Sequence, residues 1–310
     1  MKLGSWPALT VLALTACGGG TPADTGPPPD VQLEQANRAG TQAMSMDMPT
    51  LAVRQYKTAL QRAYERDDAG AIADVSYNLA LAQMKAGDSK GALATVRNAR
   101  TDLERRRAPV PGELFLVQAA AAYRSGDFAA ADSAAQEALS HPSKDPDTAP
   151  RAWFIRGLVA AQRRDGATLA QAIAALPPAK AADLQADREE LLGRAALLNG
   201  QAAEALSLFQ QSAANRQQAL DYRGMARALA LAGDGALRTG RTAEAADLFL
   251  RAGRSALLQV DNATALPLLR QADELARQTA QPGISEEVAR LRKLAAERQA
   301  KQNEQGAGRT

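Results

Sequence analysis

The sequence predicts an all-α protein, a solenoid of repeated helix–turn–helix units. Three observations carry that expectation. The 310-residue chain is 46% apolar but only 4% aromatic. Alanine dominates the apolar fraction, and alanine enters a helix without losing side-chain entropy. Helical periodicity starts at Val31 and continues almost to the C-terminus. It is broken by turn residues that mostly recur about every 39–40 residues, such as Asp47, Gly87, Gly126, Gly200 and Gly240. The same composition excludes several functions. A net charge of +3 and a pI near 9.1 reflect a few extra arginines and not a nucleic-acid footprint. One Cys permits no intrachain disulfide, and one His removes most routes to metal or acid–base chemistry.

In chain order, the first element is a leader. Met1 and Lys2 form a short cationic stretch, and Leu3 to Leu14 form an apolar run. The run is shorter than the roughly 20 residues needed to span a membrane. Leu14-Thr15-Ala16-Cys17 follows: an aliphatic residue, two small residues, then the single cysteine. This resembles the lipobox of bacterial lipoproteins. The resemblance implies a signal peptide over 1–16, cleavage before Cys17, and a diacylglycerol on the Cys17 sulfur. Gly18 stands where an Asp would imply inner-membrane retention, so the resemblance implies the outer membrane, with the body facing the periplasm. Residues 17–30 include GGGTPADTGPPPD, which buries nothing and is predicted to be a disordered tether.

The body repeats a pattern of small residues, a turn, an alanine and a bulky residue. The clearest copy has Leu192-Gly193, Gly200 at the turn, Ala205 and Phe209. Upstream, it occurs as Ala39-Gly40, Asp47, Ala52, Tyr56 and Ala59, with Pro49 at a favourable first helical position. Next come Leu79-Ala80, Gly87, Ala92, Val96 and Ala99, then a weaker copy in Ala119, Gly126, Ala131, Ala135 and Ala138. Trp153 and Gly157 fit a further first helix, with its turn shifted to Asp165-Gly166. The pattern returns as Ala232-Gly233, Gly240, Ala245, Phe249 and Ala252. This succession resembles the tetratricopeptide repeat (TPR), with a longer period than the usual ~34 residues. The resemblance spans 31–280 and implies a right-handed superhelix. Residues 263–280 and 284–302 read as two more helices. Pro267 fits poorly inside the first, and Ser285 is a candidate cap for the second. The segment 281–302 is predicted to cap the solenoid, and 303–310 to be a loose tail.

Catalytic constellations are sparse. GDGALRTG (233–240) resembles part of a phosphate loop, but no strand precedes it and no Lys-Ser/Thr follows, so its glycines are read as repeat positions. His141 sits in a loop with no second His or Cys for a metal. Glu104 to Arg107 end a helix, where cations complement its dipole. No catalytic residue, metal site or cofactor is expected.

The TPR resemblance implies that first helices line an inner groove for peptide or protein segments. Projected onto this chain, the groove positions are Asn37, Met44, Tyr77, Leu81, Met84, Leu116 and Tyr123 in the N-terminal half. In the C-terminal half they are Asp187, Glu190, Arg194 and Arg227, with Asp234 beyond. The first set is rich in adaptable Met and Tyr, and the second is of mixed charge. Each Met or Tyr could equally fill the inter-helix core. The expected role is a lipid-anchored, non-enzymatic scaffold or assembly factor that binds proteins of a cell-envelope complex and no nucleic acid. The resemblance implies settings such as pilus or secretion pores, outer-membrane assembly or control of cell-wall enzymes. Two alternatives remain open at this point: an envelope enzyme such as a peptidoglycan hydrolase, and a structural or small-ligand-binding lipoprotein.

Overall fold

The computed structural model describes residues 29–307, with side chains described through 300. The leader, Cys17 and nearly all of the tether lie outside the described residues. The described chain is all α-helical apart from turns and loops, with no strand. Its helices pair as α1 (Val31–Ser45) with α2 (Pro49–Glu65), α3 (Ala69–Lys85) with α4 (Ser89–Arg105), and α5 (Gly112–Arg124) with α6 (Phe128–Ser140). The pairing continues with α7 (Thr148–Arg163) and α8 (Gly166–Ala174), α9 (Ala182–Leu198) and α10 (Ala202–Gln218), α11 (Tyr222–Arg238) and α12 (Thr242–Leu258), and α13 (Asn262–Gln278) and α14 (Pro282–Ala307).

The turns explain the period. Left-handed backbone occurs at Asp47, Asp67, Gly87 and Arg107, at 20-residue intervals, and again at Gly200, Leu220, Gly240, Val260 and Ala280. A 17-residue helix followed by a three-residue connection therefore repeats both within and between pairs. In each connection the left-handed residue ends one helix, and the next residue bonds back across the turn, as Asp88 N–H does to the Gln83 carbonyl at 2.8 Å. That same residue then caps the following helix where it is an aspartate. Asp68, Asp88, Asp221 and Asp261 accept from the N–H of Ala71, Gly91, Gly224 and Thr264. The turns within pairs carry a Gly in several repeats and are visible in the sequence. Those between pairs carry Asp, Arg, Leu or Val and are not.

The small residues do what the repeat pattern requires. A Cβ built on Gly40, Gly193 or Gly233 would lie 2.6, 2.6 and 2.8 Å from the rings of Tyr56, Phe209 and Phe249. Each ring stands 16 residues downstream on the second helix of the same pair, so the glycine opens the space the ring fills. Ala80 and Val96 occupy the same two positions, both fully buried. The core runs as a chain of clusters along the solenoid, from Ala36, Tyr56 and Leu79 to Phe249, Leu269 and Val288.

First helices touch in series, α1 to α3, α3 to α5, α5 to α7 and α7 to α9. They form the inner layer, and the second helices α2, α4, α6, α8 and α10 stand outside. The middle pairs are irregular: α5 and α6 have 13 residues each and α8 has nine. Glu113 pins the loop after α6, accepting from Ser143 Oγ at 2.9 Å and from the N–H groups of Lys144 and Asp145 at 2.8 and 3.1 Å. Burial pushes this carboxyl up, but those bonds prevail and hold it below the usual range.

Three boundaries differ from expectation. Asp30, assigned to the tether, is the cap of α1 and pairs with Arg62 of α2 at 2.8 Å. The last helix starts at Pro282, so Ser285 lies inside it and is not its cap, and the helix runs to Ala307, through part of the predicted tail. Pro267 lies inside α13, where it removes one helical hydrogen bond without ending the helix. Among the described residues no helix is long and apolar enough to cross a membrane.

Candidate functional site: a cation-rich cluster on the inner face

Where α7, α9 and α11 meet, the inner layer holds a cluster of ionic groups. Its centre is Glu190 of α9, fully buried. Arg194, one turn on, donates to its Oε1 at 2.8 Å. Arg227 of α11 donates through Nη2 at 2.9 Å and through Nε at 3.1 Å. Arg216 of α10 donates to Oε2 at 2.9 Å, to Asp187 Oδ1 at 2.8 Å and to Asp221 Oδ2 at 2.7 Å. The Phe154 ring of α7 lies beside Arg216 and Arg227, with centroids 5.6 and 5.9 Å from their guanidinium carbons.

The electrostatics follow from this sharing. Burial pushes Glu190 up, but the Arg227, Arg194 and Arg216 cations together hold it far below the carboxylate range. Asp187 has a smaller share of the positive charge. Burial dominates there, and the nearby Glu190 charge adds to it, pushing Asp187 up to about 6. Beside the cluster, Asn215 donates to both oxygens of Glu189 at 3.0 and 2.8 Å, and Ser212 Oγ donates to the Ala186 carbonyl at 2.9 Å. These bonds lock α10 against α9.

Two further arginines reach across the inner face to the end of α3. Arg124, the last residue of α5, donates to the Met84 carbonyl at 3.0 Å. Arg223, in the first turn of α11, donates to the Lys85 carbonyl at 2.9 Å, joining parts of the chain 138 residues apart.

The structure distributes the groove residues expected from sequence as follows. Asp187, Glu190, Arg194 and Arg227 come together in the cluster. Tyr77, Leu81 and Tyr123 are half-buried on α3 and α5, with the Tyr123 and Phe128 rings 5.5 Å apart. The Tyr77 hydroxyl is pushed up by burial and by Asp145 from the loop before α7. Asn37 and Met44 are half-buried on α1, with Asn78 Nδ2 3.4 Å from Asn37 Oδ1. Met84 and Leu116 are buried among core side chains, at 5% and 8% exposure. Asp234 is exposed on α11. Arg216, Arg124, Arg223 and Phe154 were not foreseen. Arg216 lies on a second helix, outside the register used for groove positions. Arg124 ends α5, where a cation reads as a dipole partner, and Arg223 sits in the first turn of α11, outside the register used for groove positions.

On the other side of α11, two adjoining clefts of about 220 and 320 Å³ lie between α10 and α12 and share Gln217, Met225, Leu229 and Arg251. No group of three or more His, Cys, Asp or Glu placed to hold a metal occurs among the described residues.

No known protein-family profile matches the sequence, and no curated protein matches it. Solved structures do match by shape. One is a tetratricopeptide repeat protein from Parabacteroides merdae, with a TM-score of 0.50 and 14% identity over 83% of this chain and 99% of that one. Another is a Rap protein complexed with competence and sporulation factor, with a TM-score of 0.50 and 14% identity over 89% of this chain and 98% of that one. Identity this low carries the architecture alone, and the architecture is a TPR-like α-solenoid.

Proposed function

We propose that the protein is a binding scaffold whose inner face holds a segment of a protein partner, and that Cys17 anchors it by lipid to the outer membrane, facing the periplasm. One observation carries the binding reading. First helices touch in series from α1 to α9, and half-buried Tyr77, Leu81 and Tyr123 stand on α3 and α5, beside the end of α3 that Arg124 and Arg223 reach. Adaptable aromatic area next to fixed cations suits a docking surface. The likeness to a Rap protein seen with a bound factor is consistent with that use of the fold. The anchoring reading rests on Leu14-Thr15-Ala16-Cys17. In an envelope, such a chain would assist assembly or control of a larger complex and would act by binding, not by catalysis.

Crosslinking in intact envelopes, from a photoreactive residue placed at Tyr77, tests the binding reading. A specific captured protein is expected, and reproducible absence of capture would refute the groove. Cys17→Ala tests the anchor: the variant is expected to remain uncleaved, seen as a heavier chain, and to incorporate no labelled acyl chain. Unchanged processing and labelling would refute lipidation.

A further inference from the structure

The carboxylates nearest Arg124, Arg223 and Arg227 are already committed. Glu190 serves Arg194, Arg216 and Arg227, and Asp187 and Asp221 both serve Arg216. Asp221 also caps α11, and Asp261 caps α13. Arg124 and Arg223 have no carboxylate within 4.0 Å among the described residues. Their partners are two successive carbonyls, Met84 and Lys85, at the C-terminal end of α3. Carbonyls in the last turn lack helical partners and carry the negative end of the helix dipole, so they attract cations. They are nevertheless neutral acceptors, whereas a carboxylate brings a full opposite charge and can accept two parallel guanidinium bonds. Desolvation by the helices crowded around it and the facing cations of Arg223 and Arg227 together push Arg124 down, despite the attraction of Asp221 and Asp261. A further anion at this point would therefore be welcome. It would also be reachable: Arg124 is exposed, and Arg227 keeps 39% of its side chain in solvent.

We propose that Arg124, Arg223 and Arg227 are the point at which an acidic protein segment seats in the groove, and that the α3 carbonyls hold the two unpaired guanidiniums until it arrives. The inference rests on the binding reading above and adds the chemistry of the partner. A glutamate or aspartate side chain replaces the Met84 and Lys85 carbonyls on Arg124 and Arg223. Neighbouring apolar residues of the segment then lie against half-buried Tyr123.

The test uses the full chain near physiological salt and a fluorescent peptide of alternating glutamate and alanine, read by anisotropy. Saturable binding is expected for this peptide and not for its glutamine counterpart. Arg124→Gln and Arg223→Gln should each weaken it about tenfold. Arg223→Lys, which keeps the charge, should lose less, and Arg97→Gln on the exposed face of α4 should change nothing. Circular dichroism melting checks that each variant folds. Equal binding of the glutamine peptide, equal weakening by Arg97→Gln, or arginine-dependent binding of oligothymidine or of phosphatidylglycerol vesicles in preference to the peptide would overturn the proposal. Capture from Tyr77 that survives both arginine variants would sink this inference and leave the binding reading standing. Absence of capture by the parent chain would sink the binding reading itself.

Discussion

Val260 is a β-branched residue at φ 62°, with 59% of its surface in solvent. Left-handed backbone costs an L-residue roughly 1–2 kcal/mol, most for branched side chains. Glycine removes that strain and offsets part of the gain through its more flexible unfolded state, by about 0.5–1 kcal/mol. Val260→Gly is therefore expected to stabilise the protein by about 0.5–1 kcal/mol, seen as a higher melting temperature. A lower one would mean that the side chain makes a contact the exposure hides. The converse holds at Gly193, where even a Cβ would meet the Phe209 ring at 2.6 Å. Gly193→Leu should overpack the α9–α10 crossing and cost about 1–3 kcal/mol. Urea denaturation with an unmoved midpoint would contradict the close approach. Gly193 could be foreseen because its partner lies at a constant offset in other repeats. Val260 could not, because nothing in a valine signals a turn.

At the scale of helices, α9, α10 and α11 are joined by shared charge. Glu190→Gln would leave Arg194, Arg216 and Arg227 around a neutral amide, and breaking such a buried set costs about 3–5 kcal/mol. Asp187 behaves in the opposite way. Its carboxyl titrates at about 6 in the fold against a reference value of 3.8, so the folded state retains a proton that the unfolded state has released. Its contribution to stability therefore falls as pH rises from about 4 to about 6 and is level above that. Asp187→Asn should remove this segment: the stability difference between parent and variant is expected to change across pH 4–6 and to stay constant from 6.5 to 8. Chemical denaturation at several pH values measures it, and a difference independent of pH across 4–6 would contradict the burial argument. Four members of this network were nominated from sequence by their register on first helices. The residue that links them, Arg216, was not, because the network closes through a second helix.

At the scale of the whole molecule, each pair of helices leaves an apolar face that the next pair must cover. The last cover is α14. Val288 and Ala295 are buried in the cluster that contains Leu269 and Ala272, Arg298 donates to the Leu257 carbonyl at 3.0 Å, and Arg254 pairs with Glu287 at 2.8 Å. A chain ending at Gln281 should lose hydrogen-exchange protection in α12 and α13 while α1 to α4 keep theirs, since the helices packed against α1 to α4 are their neighbours in the solenoid. Uniform loss of protection along the chain would show cooperativity longer in range than neighbour packing provides.

Much of this architecture could be read in the chain before any coordinates. Alanine-rich periodicity, recurring turns and the spacing of Gly193 from Phe209 are local signals, and local signals suffice to define helices and the pairs they form. The half-period turns at Asp67, Arg107, Leu220 and Val260 were hidden, because the left-handed backbone there is imposed by the packing of the flanking helices and not by residue choice. The inner face was hidden for a different reason. Arg223 and Lys85 meet only because repeat-to-repeat rotation accumulates over 138 residues. Small angles added over several crossings bring distant helix ends together, and no stretch of sequence short enough to read as a motif contains that sum.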